Sequence, residues 1–550
     1  MPSLRVVTNG GTNGRAGVLL CGAMTPARPS RRALTLVLIL GLATALATRP
    51  RAAAPAIDDA FARFWAAADP YEADGAAKAL RTSGVTFDDA FARLKAGRTY
   101  RADAPTGIVR AVRKIPAEEY PYTIDVPTSY DPAKRYQVRV QLHGGVGRRD
   151  PVQRGDGSIG QLAGVEQIYV LPQAWSGAEW WGSRQDDNLP AILDAVKRAY
   201  NVDENRVVLS GVSDGGTGAY YVAMRDTTAY ASFLPLNGFI LVLRNADLGL
   251  DGRLFPNNLR NKPFFVVNGG RDPLYPAARV EPFLTSFRSG GLDLTYRPQP
   301  EAGHNTSWWP TVKDEYEAFV AAHPRDPHPA TLTWQTDSAS AHNRAHWLVI
   351  DRLAPAAATD TALPDLNDMV SGEAPSFGTR TEGMRVVQVV TGSNAHGFGL
   401  RAGDVVRKVN GRELPQGLDL EDFLGIYEAG EPLVLAVDRE GRTLELRGNY
   451  TPTSLAKVAP MFSTTVPSGR VDLVRDGNTI RATTRGVGAF TLLLSPDVVD
   501  FAKPVTVVAN GRQVFNGRVQ KDLGTLLTWA ARDNDRTMLY GAALPIALTR

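Results

Sequence analysis

Cysteine is all but missing from this chain. Cys21 is the only one in 550 residues, so no internal disulfide and no cysteine-based metal site can form. Histidine is scarce, with seven copies, which leaves few imidazoles to serve as general bases. Charge of one sign is lacking as well. Lys and Arg number 61 against 57 Asp and Glu, and residues 1–47 hold five of the Arg and no acid, leaving 56 against 57 in the remainder. A nucleic-acid binder usually shows a strong basic excess, so that class is set aside. The apolar run from Ala33 to Ala47 falls short of the roughly 20 residues that span a bilayer, and no stable transmembrane anchor is expected.

What is present at the N-terminus is a targeting pattern. Ser30-Arg31-Arg32 precedes the apolar run, and Ala45-Leu46-Ala47 supplies a small-residue cleavage site. Residues 1–47 therefore read as a signal peptide, with an uncleaved anchor as the rival and Met24 as an alternative start. Ser30-Arg-Arg-Ala-Leu also resembles the twin-arginine export signal. The expected location is outside the cytoplasm, periplasmic or secreted. Cys21 lies in the removable part.

At roughly 100–200 residues per domain, the length calls for three or four units. Residues 48–118 read as a linker and an N-terminal helical cap, with Phe61 and Trp65 on one apolar face. Residues 119–322 alternate strand and helix patterns. Apolar strands at 122–126, 137–142, 167–171, 206–210, 264–268 and 292–297 are separated by amphipathic stretches such as 188–200 and 280–288. That alternation predicts an α/β fold with a mostly parallel sheet covered on both faces. Prolines from Pro324 to Pro329 close this unit. Residues 329–353 give about two strands, too few for a core of their own. Residues 467–550 give five or six, with an Asn510-Gly511 hairpin turn. The two segments are expected to form one β-rich, sandwich-like domain, with the compact unit 372–450 inserted between them.

Within 119–322, Gly211-Val-Ser213-Asp-Gly215 follows the apolar run Val207-Val-Leu209 and opens a helical stretch. A strand-to-helix turn of this kind strains the serine backbone, and glycines let adjacent segments pass close. The letters also fit an ordinary glycine-rich turn, so the weight lies in the context. Phe264-Phe-Val-Val-Asn268 leads to Asp272, and the strand 292–297 leads to His304. Taken alone, Asp272 reads equally as a turn or capping residue. A serine hydroxyl is a weak nucleophile unaided. A histidine base oriented by a carboxylate activates it, and Ser213, His304 and Asp272 are the candidates. Trp180 and Trp181 read either as pocket lining or as a buried core pair.

Taken together, His143-Gly-Gly145, Gly211-Val-Ser-Asp-Gly-Gly216, Gly270-Arg-Asp272 and Gly303-His304 resemble the α/β-hydrolase superfamily, in its exported carboxylesterase and polyhydroxyalkanoate-depolymerase-like branch. The order Ser, Asp, His is the one that fold uses. The resemblance implies an oxyanion hole from the backbone of Gly144 or Gly145 with that of Asp214, while His143 shapes the loop. It implies carboxylic ester hydrolysis through an acyl-enzyme, on a small or polymeric ester, with no cofactor and no metal. A serine peptidase of the prolyl-oligopeptidase-like kind and a non-catalytic scaffold are the alternatives.

In the insert, Gly399-Leu-Arg-Ala-Gly-Asp404-Val-Val-Arg-Lys-Val-Asn410-Gly411 resembles a PDZ domain of the bacterial, protease-associated kind. The resemblance implies that a peptide C-terminus adds as a strand to a sheet edge, its carboxylate held by backbone N–H groups. Ser376, Phe377 and Gly378 are the candidate carboxylate loop. A degenerate domain that only packs on its neighbours is the alternative.

Overall fold

Alternating apolar residues build a sheet with two buried faces. The computed structural model describes residues 54–548, apart from 116–117, 150–155, 251, 356–364, 368–371, 415–418, 458–459 and 464. The segment 1–47, with Cys21 and the export pattern, lies outside the described residues. Eight strands form the main sheet: β1 (Gly107–Ile115), β2 (Glu118–Val126), β3 (Tyr136–Leu142), β4 (Ile168–Pro172), β5 (Val202–Val212), β6 (Phe233–Leu236), β7 (Phe264–Val266) and β8 (Leu294–Tyr296). Their order is β1-β2-β4-β3-β5-β6-β7-β8. The pairs from β4 to β8 are parallel, whereas β1–β2 and β2–β4 are antiparallel.

Among the described residues, three helices precede the sheet, α1 (Ala54–Ala66), α2 (Pro70–Thr82) and α3 (Phe87–Ala96), and four accompany it, α4 (Ser183–Ala199), α5 (Asp214–Arg225), α6 (Ala277–Ser289) and α7 (Trp309–Ala322). Val207, Leu209, Phe264 and Val266 point to the face covered by α4, α5 and α6. Val208, Phe265 and Val267 point to the other face, onto Val312, Tyr316 and Phe319 of α7. Burial on both faces is why these strands read as unbroken apolar runs. The chain runs from β3 outward to β4, then returns to the opposite side of β3 with β5. The crevice at the carboxyl ends of β3 and β5 is thus a topological switch point, where such sheets gather ligands.

The helical cap assigned to 48–118 is corrected in two respects. Gly107–Ile115 is an edge strand of the main sheet, paired along its length with β2. Its cations Arg110, Arg113 and Lys114 suit an edge but hide the apolar alternation. The helices α1–α3 bury Phe61, Leu80 and Leu94 against Leu526 and Leu527 of a helix near the chain's end. Residue pairing of that kind is invisible to local patterning.

After the main sheet come β9 (Thr331–Thr336), β10 (Arg344–Ala345) and β11 (Leu348–Leu353), then β12 (Gly372–Ser376), β13 (Thr379–Glu382), β14 (Arg385–Val389), a short α8 (Asn394–Gly397), β15 (Val405–Val409) and β16 (Arg412–Glu413). The helix α9 (Leu420–Leu424) leads to β17 (Pro432–Arg439), β18 (Arg442–Asn449) and β19 (Thr453–Lys457). The last elements are β20 (Gly469–Asp476), β21 (Thr479–Arg485), β22 (Val487–Leu494), β23 (Val505–Ala509), β24 (Arg512–Gly517), α10 (Leu523–Asp533) and β25 (Ala542–Ala547). Two sheets, β24-β23-β21-β20-β9 and β10-β11-β22-β25, share one core around Trp334, Leu473, Phe490 and Leu492. Segments on either side of the insert therefore pair directly, β9 with β20 and β11 with β22. The insert has its own sheet, β13-β14-β15-β17-β18, its own core around Phe377, Val406 and Leu435, and a two-stranded stalk of β12 and β19. Among the described residues, no helix is long and apolar enough to cross a membrane.

Candidate active site

The site begins with the turn between β5 and α5. Ser213 sits there at φ 59° and ψ −120°, a conformation that costs an ordinary residue about 1–3 kcal/mol. Its N–H donates to Leu236 O (2.9 Å), and its carbonyl accepts from Thr217 N (3.0 Å). Two flanking glycines make room for the turn. A Cβ on Gly211 would lie 2.1 Å from Gly215 O, and one on Gly215 would lie 2.3 Å from Leu142 O. The turn therefore nests against the end of β3, which is what raises the serine hydroxyl out of the sheet.

Asp272 and His304 reach the same point from β7 and β8. His304 Nε2 lies 2.8 Å from Ser213 Oγ. Its Nδ1 lies 2.7 Å from Asp272 Oδ2. Asp272 is wholly buried, and its other oxygen accepts from Leu274 N (2.8 Å) and Tyr275 N (3.0 Å). The capping reading and the orienting reading thus coincide in one carboxylate. With Nδ1–H donating to an acceptor-only carboxylate, Nε2 carries the lone pair that faces the serine hydroxyl. The three side chains, spread over positions 213 to 304, form one hydrogen-bonded chain.

The sequence pattern missed the residue that holds the histidine loop. Asn237, just past β6 at φ 48°, donates from Nδ2 to Asn305 O (2.8 Å). An asparagine following a short apolar strand in left-handed backbone is the only local hint. The Tyr275 ring meets the His304 ring in a T-shaped contact, with centroids 5.7 Å apart.

The loop after β3 closes on the serine from above. A Cβ on Gly144 would lie 2.7 Å from Ser213 Cβ, so only glycine fits there. His143 is a loop-shaping residue. Its Nε2 accepts from Ala174 N (3.1 Å), and its Nδ1 therefore carries the proton that it gives to Gly144 O (3.0 Å). Two expectations need correction. Gly145 N–H donates to Asp214 Oδ2 (2.9 Å), as does Val146 N–H (2.9 Å), so Gly145 is committed and is not an oxyanion donor in this arrangement. Trp180 is wholly buried and Trp181 nearly so. Trp180 Nε1 donates to His143 O (2.7 Å), and its Cβ lies 2.5 Å from where a side chain on Gly218 would begin. Trp180 is scaffold beneath the loop, since an aromatic packed this closely against α5 has no face left for a substrate, and Trp181 packs in the same core.

In the insert, the backbone N–H groups of Phe377 and Gly378 do converge on a carboxylate, that of Glu421 from α9, at 2.7 and 2.9 Å. Ser376 Oγ accepts from Gly378 N at 3.1 Å. Among the described residues, no group of three or more His, Cys, Asp or Glu side chains is placed to hold a metal ion.

No protein-family model matches the chain. It is 28% identical over 180 residues to a bifunctional acetylxylan esterase/xylanase, XynS20E, of Neocallimastix patriciarum, covering 30% of this chain and 25% of that protein. It is 26% identical over 179 residues to a probable feruloyl esterase C of Aspergillus terreus, covering 31% of this chain and 60% of that one. It is also 33% identical over 81 residues to a putative serine protease, HhoB, of Synechocystis, covering 14% of this chain and 20% of that protein. The chain thus spans less than two thirds of the length of each of these relatives.

Proposed function

We propose that this chain is an exported serine hydrolase that cleaves carboxylic esters through Ser213, His304 and Asp272. The observation that carries the reading is the continuous relay from Ser213 Oγ through both nitrogens of His304 to the buried Asp272, with links of 2.8 and 2.7 Å. His304 Nε2 takes the hydroxyl proton as Ser213 Oγ attacks the ester carbonyl carbon. Asp272 holds the imidazole tautomer and stabilises the imidazolium. The resemblance assigns the developing oxyanion to the backbone N–H of Asp214, the first residue of α5, together with that of Gly144. One such donor is typically worth about 100–1,000-fold in rate. His304 then returns the proton to the leaving alcohol oxygen. A water molecule, deprotonated by the same nitrogen, releases the acid from the acyl-serine. The likeness to an acetylxylan esterase and a feruloyl esterase supports acetyl and hydroxycinnamoyl esters as the substrate class.

Export rests on the pattern of residues 1–47. The insert 372–450 is read as a PDZ-like peptide-binding module, supported by N–H groups at 377–378 that gather around a carboxylate. That module and the likeness to a putative serine protease favour peptide hydrolysis as the second reading. A fluorophosphonate probe on wild type and Ser213→Ala, followed by p-nitrophenyl acetate, methyl ferulate and a peptide anilide, decides the matter. Labelling lost in the variant and turnover of the two esters are the expected results. Wild-type protein that takes no label at Ser213 would leave only the non-catalytic scaffold.

A further inference from the structure

Glu421 points a side-chain carboxylate into a receptor made of backbone. Its Oε2 accepts from Phe377 N (2.7 Å), and its Oε1 accepts from Gly378 N (2.9 Å), Thr379 N (2.7 Å) and Thr379 Oγ1 (3.0 Å). Three consecutive N–H groups converge on one anion because Gly378 turns the chain at φ 93°. A Cβ there would lie 2.2 Å from Ser393 Cβ, so the turn admits glycine alone. Successive N–H groups arranged in this way form an anion-binding concavity. The loop opens directly into β13, and β13 is the edge strand of the insert's sheet. An extended chain laid along that edge would end at the loop. Beneath it, Phe377, Leu420, Phe423 and Leu424 are buried apolar residues, which suits an apolar last side chain.

We infer that Glu421 is an internal occupant of this receptor, and that the C-terminal carboxylate of an extended peptide binds by displacing it. This rests on the peptide-binding reading of the insert and adds the competition. Both ligands are carboxylates and would accept the same N–H groups, so exchange costs few hydrogen bonds. The tethered one has the advantage of an effective concentration on the order of millimolar. Wild-type affinity is therefore held down by a residue of the protein itself. The neighbouring side chain ties α9 to the larger unit. Asp422 Oδ1 accepts from Arg279 Nη2 (2.6 Å), and Arg279 Nη1 reaches Pro375 O (3.4 Å). Arg279 lies in the first turn of α6, whose opening residue Ala277 donates to Gly269 O (3.0 Å) in the loop that carries Asp272. One helix thus holds both the receptor's occupant and a tie to the loop of the catalytic acid.

The test uses full-length wild type, E421Q and E421D. Gln keeps the shape but offers one acceptor oxygen and turns an NH2 toward the N–H groups, while Asp is one methylene too short to reach. The probe is a pool of fluorescein-labelled seven-residue peptides ending in Val, Leu or Ala, prepared with a free carboxylate and as the carboxamide, and read by anisotropy. Hydrogen exchange of the amides of residues 377–379 is followed in parallel without peptide. We expect both variants to bind the carboxylate pool at least about tenfold more tightly than wild type, the order set by removing a tethered competitor. The carboxamide pool should bind none of them, and the three amides should exchange faster in the variants. Equal carboxylate binding by all three proteins would overturn the competition and leave the peptide reading standing. Faster amide exchange with no binding of either pool overturns both. A variant that melts well below wild type is set aside, and the other variant decides.

Discussion

A single carboxylate beside the serine governs the shape of the loop above it. Asp214 follows Ser213, and its Oδ2 accepts from two successive backbone N–H groups, Gly145 and Val146, at 2.9 Å each. Hydrogen bonds to an ionised acceptor are about twice as strong as neutral ones. The side chain therefore clamps the loop 143–146 to the first turn of α5 and fixes where Gly144 stands relative to Ser213 Oγ. Asp214→Asn keeps the shape but not the charge, and Asp214→Ala releases the clamp. In the alanine variant kcat for p-nitrophenyl acetate should fall about 10–100-fold, as a displacement of about 1 Å from productive geometry does. KM should change little, and a fluorophosphonate should still label Ser213, only more slowly. A rise in KM alone, with kcat intact, would show that the loop holds its place without the clamp. The sequence made Asp214 legible only as the letter after the candidate nucleophile. Its backbone N–H was read from that position, but its side-chain role depends on a partner 69 positions away.

Among elements, the β5–α5 turn is where local sequence and global fold agree most closely. Val207, Val208 and Leu209 are fully buried, and that run, with the glycines after it, marked both the strand and its sharp end. The same reasoning reached Asp272 and His304 because each follows an apolar strand. It failed at β1, where cations fill an edge, and at α10, which falls in a tail otherwise rich in strand patterns. It failed again at Trp180, since an aromatic pair after a strand reads the same whether it faces a pocket or the core. The glycines give the element-scale prediction. Gly215→Ala would place a methyl group 2.3 Å from Leu142 O, so β3 and α5 must separate. Overpacking of this kind typically costs about 1–3 kcal/mol. The variant should melt at a lower temperature and lose fluorophosphonate labelling together, measured on the same preparation. Gly75, where no described residue comes within 4 Å of an added Cβ, is the control. Gly75→Ala in the exposed face of α2 should stabilise by up to about 1 kcal/mol through helix propensity.

At the scale of the whole molecule, the main-sheet unit and the sandwich meet across a seam of buried charge. Arg325 Nη2 and Asp535 Oδ2 pair at 2.7 Å, each side chain 1% exposed, and Arg536 Nε pairs with Glu204 at 2.6 Å. Asp535→Asn leaves Arg325 without its counter-charge, and breaking one partner of such a pair costs about 3–5 kcal/mol. The shared melting transition of the two units should fall accordingly in differential scanning calorimetry.

Acid tests the same seam in a different way. His328 lines a cavity of about 330 Å³ at this junction with Lys95, Arg135, Asp326, Asp497 and Arg536. Its ring meets that of Tyr540 in a T-shaped contact, and neither ring nitrogen has a hydrogen-bond partner among the described residues. Burial pushes its imidazole down to about 4; Arg325 adds to the depression, while Asp497, Asp326 and Asp535 oppose it. In the unfolded chain the same group titrates near its ordinary value of about 6.5. Between those two pH values the unfolded state binds the extra proton, so stability falls as pH drops through the window and levels off below about 4. At about 1.4 kcal/mol per pH unit, the loss attributable to this residue is on the order of 3 kcal/mol. His328→Phe keeps a ring against Tyr540 and removes the titration. Carboxylates of the seam titrate in both proteins, so the difference between the two stability curves isolates the histidine. Urea midpoints measured at pH 7, 5.5 and 4 should fall more steeply in wild type than in the variant. Parallel curves would mean that the native seam takes up the proton without opening, through water or carboxylates that reach the ring.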